Sequence, residues 1–305
     1  MNTYSKKMPP KSATSDAPIG IFDSGIGGLT VLKMLHELLP GEHLIYVGDL
    51  GRSPYGTKSP DTVKRYARQI TRYLLDRGVK LIVIACNTAS AVAGDDVCRA
   101  ASPVPVIEVV ESGANAALDA GPAATRKPVR IGVLGTEATV TSAIYVNRLL
   151  ELAHERGMEA PVITQKACPL FVQLAEEGLW RGEIPDLVAA LYLSEMRAFE
   201  PDIVILGCTH FPLLAQTIAA ALPSETVLSD CAPSVAQIAK KILCDHGLSA
   251  PSTPEGKIEF YCSDSGQAFR RRAERFLDMN IDIVHHVDLE SYEDEEGKSA
   301  HTGRH

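Results

Sequence analysis

The sequence predicts an α/β protein of two pseudo-symmetric lobes. Each lobe is expected to be a mainly parallel sheet flanked by helices, with the active site in the cleft between them. Three observations carry this expectation. Short continuous apolar runs such as 81–85 and 203–206 have the pattern of strands buried on both faces of a parallel sheet. One such segment occurs twice: Val79-Lys-Leu-Ile-Val-Ile-Ala-Cys-Asn-Thr-Ala-Ser-Ala91 aligns with Asp202-Ile-Val-Ile-Leu-Gly-Cys-Thr-His-Phe-Pro212 when Cys208 is set on Cys86. The first strand also repeats, as Ile19-Gly-Ile-Phe-Asp-Ser24 and Ile131-Gly-Val-Leu-Gly-Thr136. The matched strands lie 112 residues apart and the matched cysteines 122, a difference that one loop insertion produces.

Taken in order, residues 1–18, with Ser, Lys, Thr and three prolines, read as a disordered extension. Residues 19–22 are the first strand, followed by Asp23-Ser-Gly-Ile-Gly-Gly-Leu-Thr30 and a helix to about Leu39. Gly25, Gly27 and Gly28 would let backbone N–H groups approach a ligand, and a helix start favours an anion. The spacing is not Gly-x-Gly-x-x-Gly, so a carboxylate fits this loop better than a dinucleotide. Residues 43–47 are the second strand, leading into a turn-rich loop through Gly56. Residues 62–76 form a basic amphipathic helix whose Lys64, Arg65, Arg68 and Arg72 read as a solvated face. The Cys86 strand comes next, then a helix to about Ala100 and a short strand at 104–109.

After a turn-rich break at 121–127 the pattern restarts. A strand ends at Thr136, a helix runs through Tyr145 to Leu152, and a further strand spans 162–165. A loop and short helix from Cys168 to Glu177, a longer helix at 186–199 and the Cys208 strand follow. Beyond Pro223, strands at 227–228 and 258–261 and a helix at 233–244 are expected to return and complete the first lobe. The domain expectation is therefore a first lobe of 19–111 plus 221–287, a second lobe of 112–220, and a frayed acidic tail at 288–305.

At 305 residues the chain is long enough for two domains or one large α/β unit. It is 45% hydrophobic and 22% charged, an ordinary globular composition. A net charge of −8 argues against nucleic-acid or anionic-membrane partners. No apolar run approaches the roughly 20 residues that span a bilayer, and the first residues lack a signal-peptide core, so a cytoplasmic location is expected. Seven scattered cysteines without a Cys-x-x-Cys pair suggest reduced thiols and no structural zinc. Cys208 and His210 alone do not make a metal site.

A lone Cys86 at a strand end would read as a buried, inert residue. Its repetition at Cys208 changes the reading. Both cysteines fall at carboxyl ends of strands, where open α/β sheets bind ligands. Asn87, Thr88 and Ser90 offer N-caps for the helix that follows, whose positive end would favour a thiolate. Two facing lobes would place the two sulfurs on opposite walls of one cleft. Two opposed groups, each holding one proton, suit removal of a proton from one face of a carbon and its replacement on the other, which is racemisation. Asp23 and His210 stand beside the two thiols, where they could pass protons or hold a substrate ammonium. Read without the repeat, Asp23 and Thr88 could be helix caps, Tyr55 turn packing and His210 a structural histidine.

With these residues in view, the chain resembles the bacterial glutamate racemases, a cofactor-independent branch of the aspartate/glutamate racemase superfamily. The resemblance rests on Phe-Asp-Ser-Gly-Ile-Gly-Gly-Leu-Thr at 22–30, Arg-Ser-Pro-Tyr-Gly at 52–56, Ala-Cys-Asn-Thr-Ala at 85–89 and Gly-Cys-Thr-His-Phe-Pro-Leu-Leu at 207–214. It covers about residues 19–245. It implies interconversion of L- and D-glutamate with no cofactor, for peptidoglycan synthesis, with Cys86 acting on the D-enantiomer and Cys208 on the L-enantiomer. It further implies that Asp23, Ser24, Tyr55, Gly56, Asn87, Thr88, Thr209 and His210 contact the substrate. Glu176 would assist on the Cys208 side, and Thr136, Thr139 and Thr141 occupy the matching loop of the second lobe. Phe211 stands where tyrosine is commoner, and Gln173 where proline is; neither is expected to carry chemistry. The implied partner is glutamate, and the resemblance admits a homodimer and control by a cell-wall precursor. The competing readings are a racemase or decarboxylase for another acid, and a two-lobed amino-acid sensor without turnover.

Overall fold

The computed structural model of the protein describes residues 14–121, 128–251 and 256–292. The first lobe begins with β1 (Ile19–Asp23), α1 (Leu29–Leu38) and β2 (Leu44–Gly48). It continues through α2 (Pro60–Asp76), β3 (Leu81–Ile84), α3 (Asn87–Ala101) and β4 (Val106–Glu108). Local chemistry sets the boundaries. Ser59 caps α2 by accepting from Thr62 N at 3.3 Å, with Pro60 in the first turn where its missing N–H is harmless.

The chain then crosses to the second lobe in α4 (Val109–Ala120), β5 (Arg130–Gly135) and α5 (Glu137–Thr141). Glu108 caps α4, accepting from Val110 N at 2.7 Å and Glu111 N at 2.6 Å. There follow α6 (Ile144–Glu155), β6 (Val162–Ala167), α7 (Pro169–Glu177) and α8 (Glu183–Phe199). This lobe closes with β7 (Ile203–Gly207), α9 (Ala215–Ala220) and β8 (Val227–Ser229). The return is α10 (Ala232–Asp245), β9 (Ile258–Cys262), α11 (Gly266–Leu277) and β10 (Val284–His286).

Among the described residues there are two sheets, of strand order β10-β9-β2-β1-β3-β4 and β6-β5-β7-β8, and every pairing is parallel. The repeat read in the sequence is a repeat of register. Ile19 pairs with Leu81 and Ile131 with Ile203, the same two positions in each copy. In both sheets the first strand lies between the second and third, so the strand order reverses beside it. A crevice opens at that point outside the carboxyl ends.

Each sheet is covered on both faces. Ile19 and Ile21 of β1 face Leu29, Leu32 and Leu35 of α1, Val235 of α10 and Phe269 of α11, while Phe22 faces Val63, Ala67 and Ile70 of α2 and Ala93 of α3. In the second lobe Val133 faces α4 and α6, and Leu134 faces α7 and α8. Each fully buried Leu, Ile or Phe contributes about 1.5–3 kcal/mol of transfer free energy, which makes the strands the rigid part of both lobes.

Three boundaries differ from the sequence expectation. The segment at 227–229 does not join the first lobe: β8 pairs with β7 (Ile203 with Val227), because α9 carries the chain only one strand over before α10 returns. Val109 still lies in the first lobe's core, but Val110, Ala114 and Ala117 of α4 lie in the second, so the crossing falls earlier than 112. The tail is ordered at its start: Leu289 is buried and Tyr292 meets Tyr73 edge-on. The helix α11 and strand β10 are additional to the sequence expectation, although Ser265 as cap and Phe269, Ala273, Phe276 and Leu277 at helical spacing mark α11 in the sequence. Of the extension expected at 1–18, residues 14–18 form an ordered turn, with Ala17 N donating to Thr14 O at 3.2 Å. Residues 1–13, the break at 122–127 and the end at 293–305 lie outside the described residues.

Candidate active site

The carboxyl ends of β1, β3, β5 and β7 converge on one cavity of about 140 Å³ between the lobes. A dry cavity of about 150 Å³ holds a molecule the size of benzene, so this one suits a substrate of few heavy atoms. Cys86 and Cys208 both line it, one from each lobe. So do Asp23, Ser24, Tyr55, Gly56, Asn87, Thr88, Thr136, Thr209 and His210. Ser53, Pro54, Thr57, Glu137, Pro169, Val172 and Gln173 complete the wall. Ser53 and Pro54 sit inside the Arg-Ser-Pro-Tyr-Gly motif, which was their signal in the sequence. Pro169, Val172 and Gln173 come from α7, which only the packing of the second lobe brings to the cavity. Gln173, expected to be inert, therefore borders the substrate space.

Other expected residues stand elsewhere. Gly25, Gly27 and Gly28 do not line the cavity. A Cβ at Gly27 would lie 2.4 Å from Thr209 Oγ1 and 2.6 Å from His210 Nδ1. Gly27 therefore lets the two lobes approach, and the loop does not cradle a carboxylate. Gly25 N already donates to Asp23 Oδ2 at 2.9 Å. Thr139 is buried behind Thr136, whose hydroxyl caps α5 by accepting from Thr139 N at 3.2 Å, and Thr141 is exposed. Glu176 does not touch the cavity and reaches it only through His210.

The helix after β3 is capped by Cys86 itself, whose Sγ accepts from Ala89 N at 3.5 Å. Asn87 and Thr88 are thereby released from capping and turn to the cavity. Thr88 Oγ1 meets Thr136 Oγ1 across the cleft at 2.9 Å. Tyr55 contributes its ring but not a free hydroxyl, because that group donates to Asp49. Asp49 also accepts from Arg52 Nε at 2.8 Å and Ser263 Oγ at 2.6 Å, so one buried carboxylate pins the loop over the cavity.

Besides His210 Nε2, which faces Glu176 as an ion pair, two buried polar atoms of the wall have no hydrogen-bond partner among the described residues: Asp23 Oδ1, an acceptor, and Asn87 Nδ2, a donor. Leaving such groups unpaired costs about 1–3 kcal/mol each, so a ligand with an ammonium and a carboxylate would satisfy both.

The electrostatics of the two thiols differ. The expected depression of the Cys86 thiol by its helix is overturned: burial, and then the charge of Asp23, push it up to about 12. Its Sγ lies 3.7 Å from Ser24 Oγ. Burial also raises the Asp23 carboxyl, although the charge of His210 and the N–H groups of Gly25 and Gly28 pull the other way. On the other wall, Cys208 Sγ lies 3.7 Å from His210 Nδ1, and His210 Nε2 is 3.4 Å from Glu176 Oε1. Burial alone would lower the imidazole, but Cys208, Glu176 and Asp23 outweigh it and raise it from 6.5 to about 10. Burial works against the Glu176 carboxylate too, yet His210 and Arg272 bring it below its ordinary value. His210 is therefore an imidazolium at neutral pH. No group of three or more metal-ligating side chains occurs among the described residues.

With this geometry established, the Asp/Glu/Hydantoin racemase profile matches residues 19–239, a span that holds both repeated strands and both cavity cysteines. The chain belongs to that family. A glutamate racemase of Geobacter metallireducens is 44% identical over 273 residues, 90% of this chain and 97% of that protein. The solved glutamate racemase of Francisella tularensis, in complex with D-glutamate, is 36% identical at a TM-score of 0.82, covering 91% of this chain and all of that one. The Escherichia coli glutamate racemase, solved with L-glutamate and the activator UDP-MurNAc-ala, is 28% identical at a TM-score of 0.70, covering 89% and 98%. The described residues contain no helix long and apolar enough to cross a membrane.

Proposed function

We propose that this chain interconverts L- and D-glutamate without a cofactor, by proton transfer between two cysteines at Cα. The observation that carries the reading is the placement of Cys86 and Cys208, at equivalent strand ends of two repeated sheets, on one small cavity. The names and bound ligands of its relatives support glutamate as the substrate.

In this reading the substrate ammonium docks at the unpartnered Asp23 Oδ1, and the α-carboxylate takes the Asn87 amide and the N-terminal end of α3. Those donors stabilise the charge that develops on the carboxylate as Cα loses its proton. From L-glutamate, Cys208 acts as thiolate base, its charge balanced by the His210 imidazolium, and Cys86 delivers its proton to the opposite face. In the reverse direction Cys86 must become the base. The arriving ammonium neutralises Asp23, whose charge adds to the burial that holds the Cys86 thiol up. Glu176 keeps His210 charged throughout.

The product would supply peptidoglycan synthesis, and control by a cell-wall precursor extends to this chain from the activator bound to the Escherichia coli relative. Circular dichroism tests the activity. L-glutamate incubated with the purified protein loses its signal to zero, unchanged by a chelator or by a carbonyl reagent that traps pyridoxal phosphate. A static signal, or inhibition reversed by added metal or pyridoxal phosphate, contradicts the reading.

A further inference from the structure

Tyr145 does not line the cavity, yet it is wholly buried and crosses the seam between the lobes. It stands in the first turn of α6, and its hydroxyl donates to Asn87 Oδ1 at 2.7 Å. Two features of the backbone make room for that contact. Ala143 ahead of α6 takes φ 52° and ψ 19°, a left-handed turn that a residue with a Cβ rarely adopts and that sets the direction in which the helix starts. Gly113 of α4 lies against the phenol, where a Cβ would stand 3.0 Å from the hydroxyl oxygen.

We propose that Tyr145 is a positioning residue that fixes the side-chain amide of Asn87 in one orientation, with its NH₂ facing the cavity as a preset donor to the substrate carboxylate. This rests on the proposed binding of an amino acid beside Cys86. An amide is nearly symmetric in shape, so packing alone does not decide which end faces the ligand. The hydrogen bond does. With Oδ1 toward Tyr145, the phenolic proton has an acceptor and Nδ2 is left, buried and unpartnered, on the cavity wall. With the amide turned over, Nδ2 would donate to the phenolic oxygen, the phenolic proton would lose its Asn87 acceptor, and the amide carbonyl would face a carboxylate. Burial, followed by the charge of Cys231, raises the phenol well above its ordinary value, so it remains a neutral donor at any working pH. The second lobe thus sets a substrate contact made by the first lobe, and the contact forms only when the lobes are docked.

Tyr145→Phe, Asn87→Ala and the double variant test this by steady-state racemisation from both enantiomers. L- and D-glutamate have equal free energies, so each variant must lose the same factor of kcat/KM in both directions, an internal check on the data. Tyr145→Phe is expected to lower kcat/KM about tenfold, the size of a lost hydrogen bond at a charged group, and to do nothing further in the Asn87→Ala background. Wild-type kcat/KM in Tyr145→Phe, or the same loss in both backgrounds, overturns the proposal, since a packing role is additive. If Tyr145→Phe does not fold, Gly113→Ala displaces the hydroxyl while keeping the ring. Its loss must likewise vanish in the Asn87→Ala background, and a loss that persists there overturns the proposal. A wild type that does not racemise glutamate defeats the functional reading itself, which separates the two failures.

Discussion

The two halves of the site share a backbone plan and differ in charge. Both are a parallel strand, a cysteine at its end and a hydroxyl-bearing turn, in the same register. On the Cys86 side the neighbour is a buried carboxylate, Asp23, which disfavours a second negative charge. On the Cys208 side it is an imidazolium backed by Glu176 and then by Arg272 Nη1, 3.6 Å from Glu176 Oε2. Repetition of a strand supplies two opposed sulfurs, and the residue beside each sets the charge that it faces, an anion at Cys86 and a cation at Cys208.

The largest effect should come from removing either sulfur. Cys86→Ala and Cys208→Ala are each expected to abolish racemisation measured by circular dichroism, because each direction needs both a base and an acid. Full activity in one of them would end the claim that the halves act together.

Exchanging the neighbours comes next. His210→Asn removes the cation that balances Cys208 as it takes the α-proton, and should lower kcat by about 10²–10⁴-fold with a smaller change in KM. Asp23→Asn, which also removes the ammonium's docking point, should lower kcat and raise KM together. A change confined to KM in His210→Asn would move that residue to substrate binding.

The mildest changes sharpen the asymmetry. The imidazolium of His210 persists until pH rises through about 10, and the fold shares this dependence. The folded value lies above 6.5, so these contacts stabilise the protein fully below that pH and lose their contribution as pH approaches 10. Glu176→Gln removes one anion that raises it. The alkaline limb of kcat/KM should move to lower pH, with about a tenfold loss above neutrality. Arg272→Met should act in the opposite sense and more weakly, because Arg272 is partly exposed and its pull on Glu176 is screened. A pH profile unchanged in Glu176→Gln would show that the His210 charge is set elsewhere.

Much of this was legible in the sequence because buried parallel strands leave continuous apolar runs, and a repeated run followed by cysteine is hard to mistake. The equivalence of Ile19 with Ile131 and of Cys86 with Cys208 follows from that. What stayed hidden depends on contacts between segments distant in the chain. β8 is three residues long, and nothing local says which sheet it joins. Glycines in the first loop could equally have served a ligand or the approach of the other lobe, and only the position of Thr209 and His210 decides. Asp49 carries no motif of its own, yet it holds the loop over the cavity. The rise of the Cys86 thiol likewise depends on burial, which a helix start in the sequence does not reveal.

Solvent hydrogen tests the central claim most directly. A thiol carries one proton, so the cysteine that takes the α-proton cannot deliver it to the opposite face. Racemisation of L-glutamate in D₂O, followed by mass or magnetic-resonance analysis at low conversion, should give D-glutamate deuterated at Cα. The remaining L-glutamate should stay largely protiated. D-glutamate that keeps its original protium would show a single base serving both faces, and would contradict the assignment of Cys86 and Cys208 as opposed acid and base.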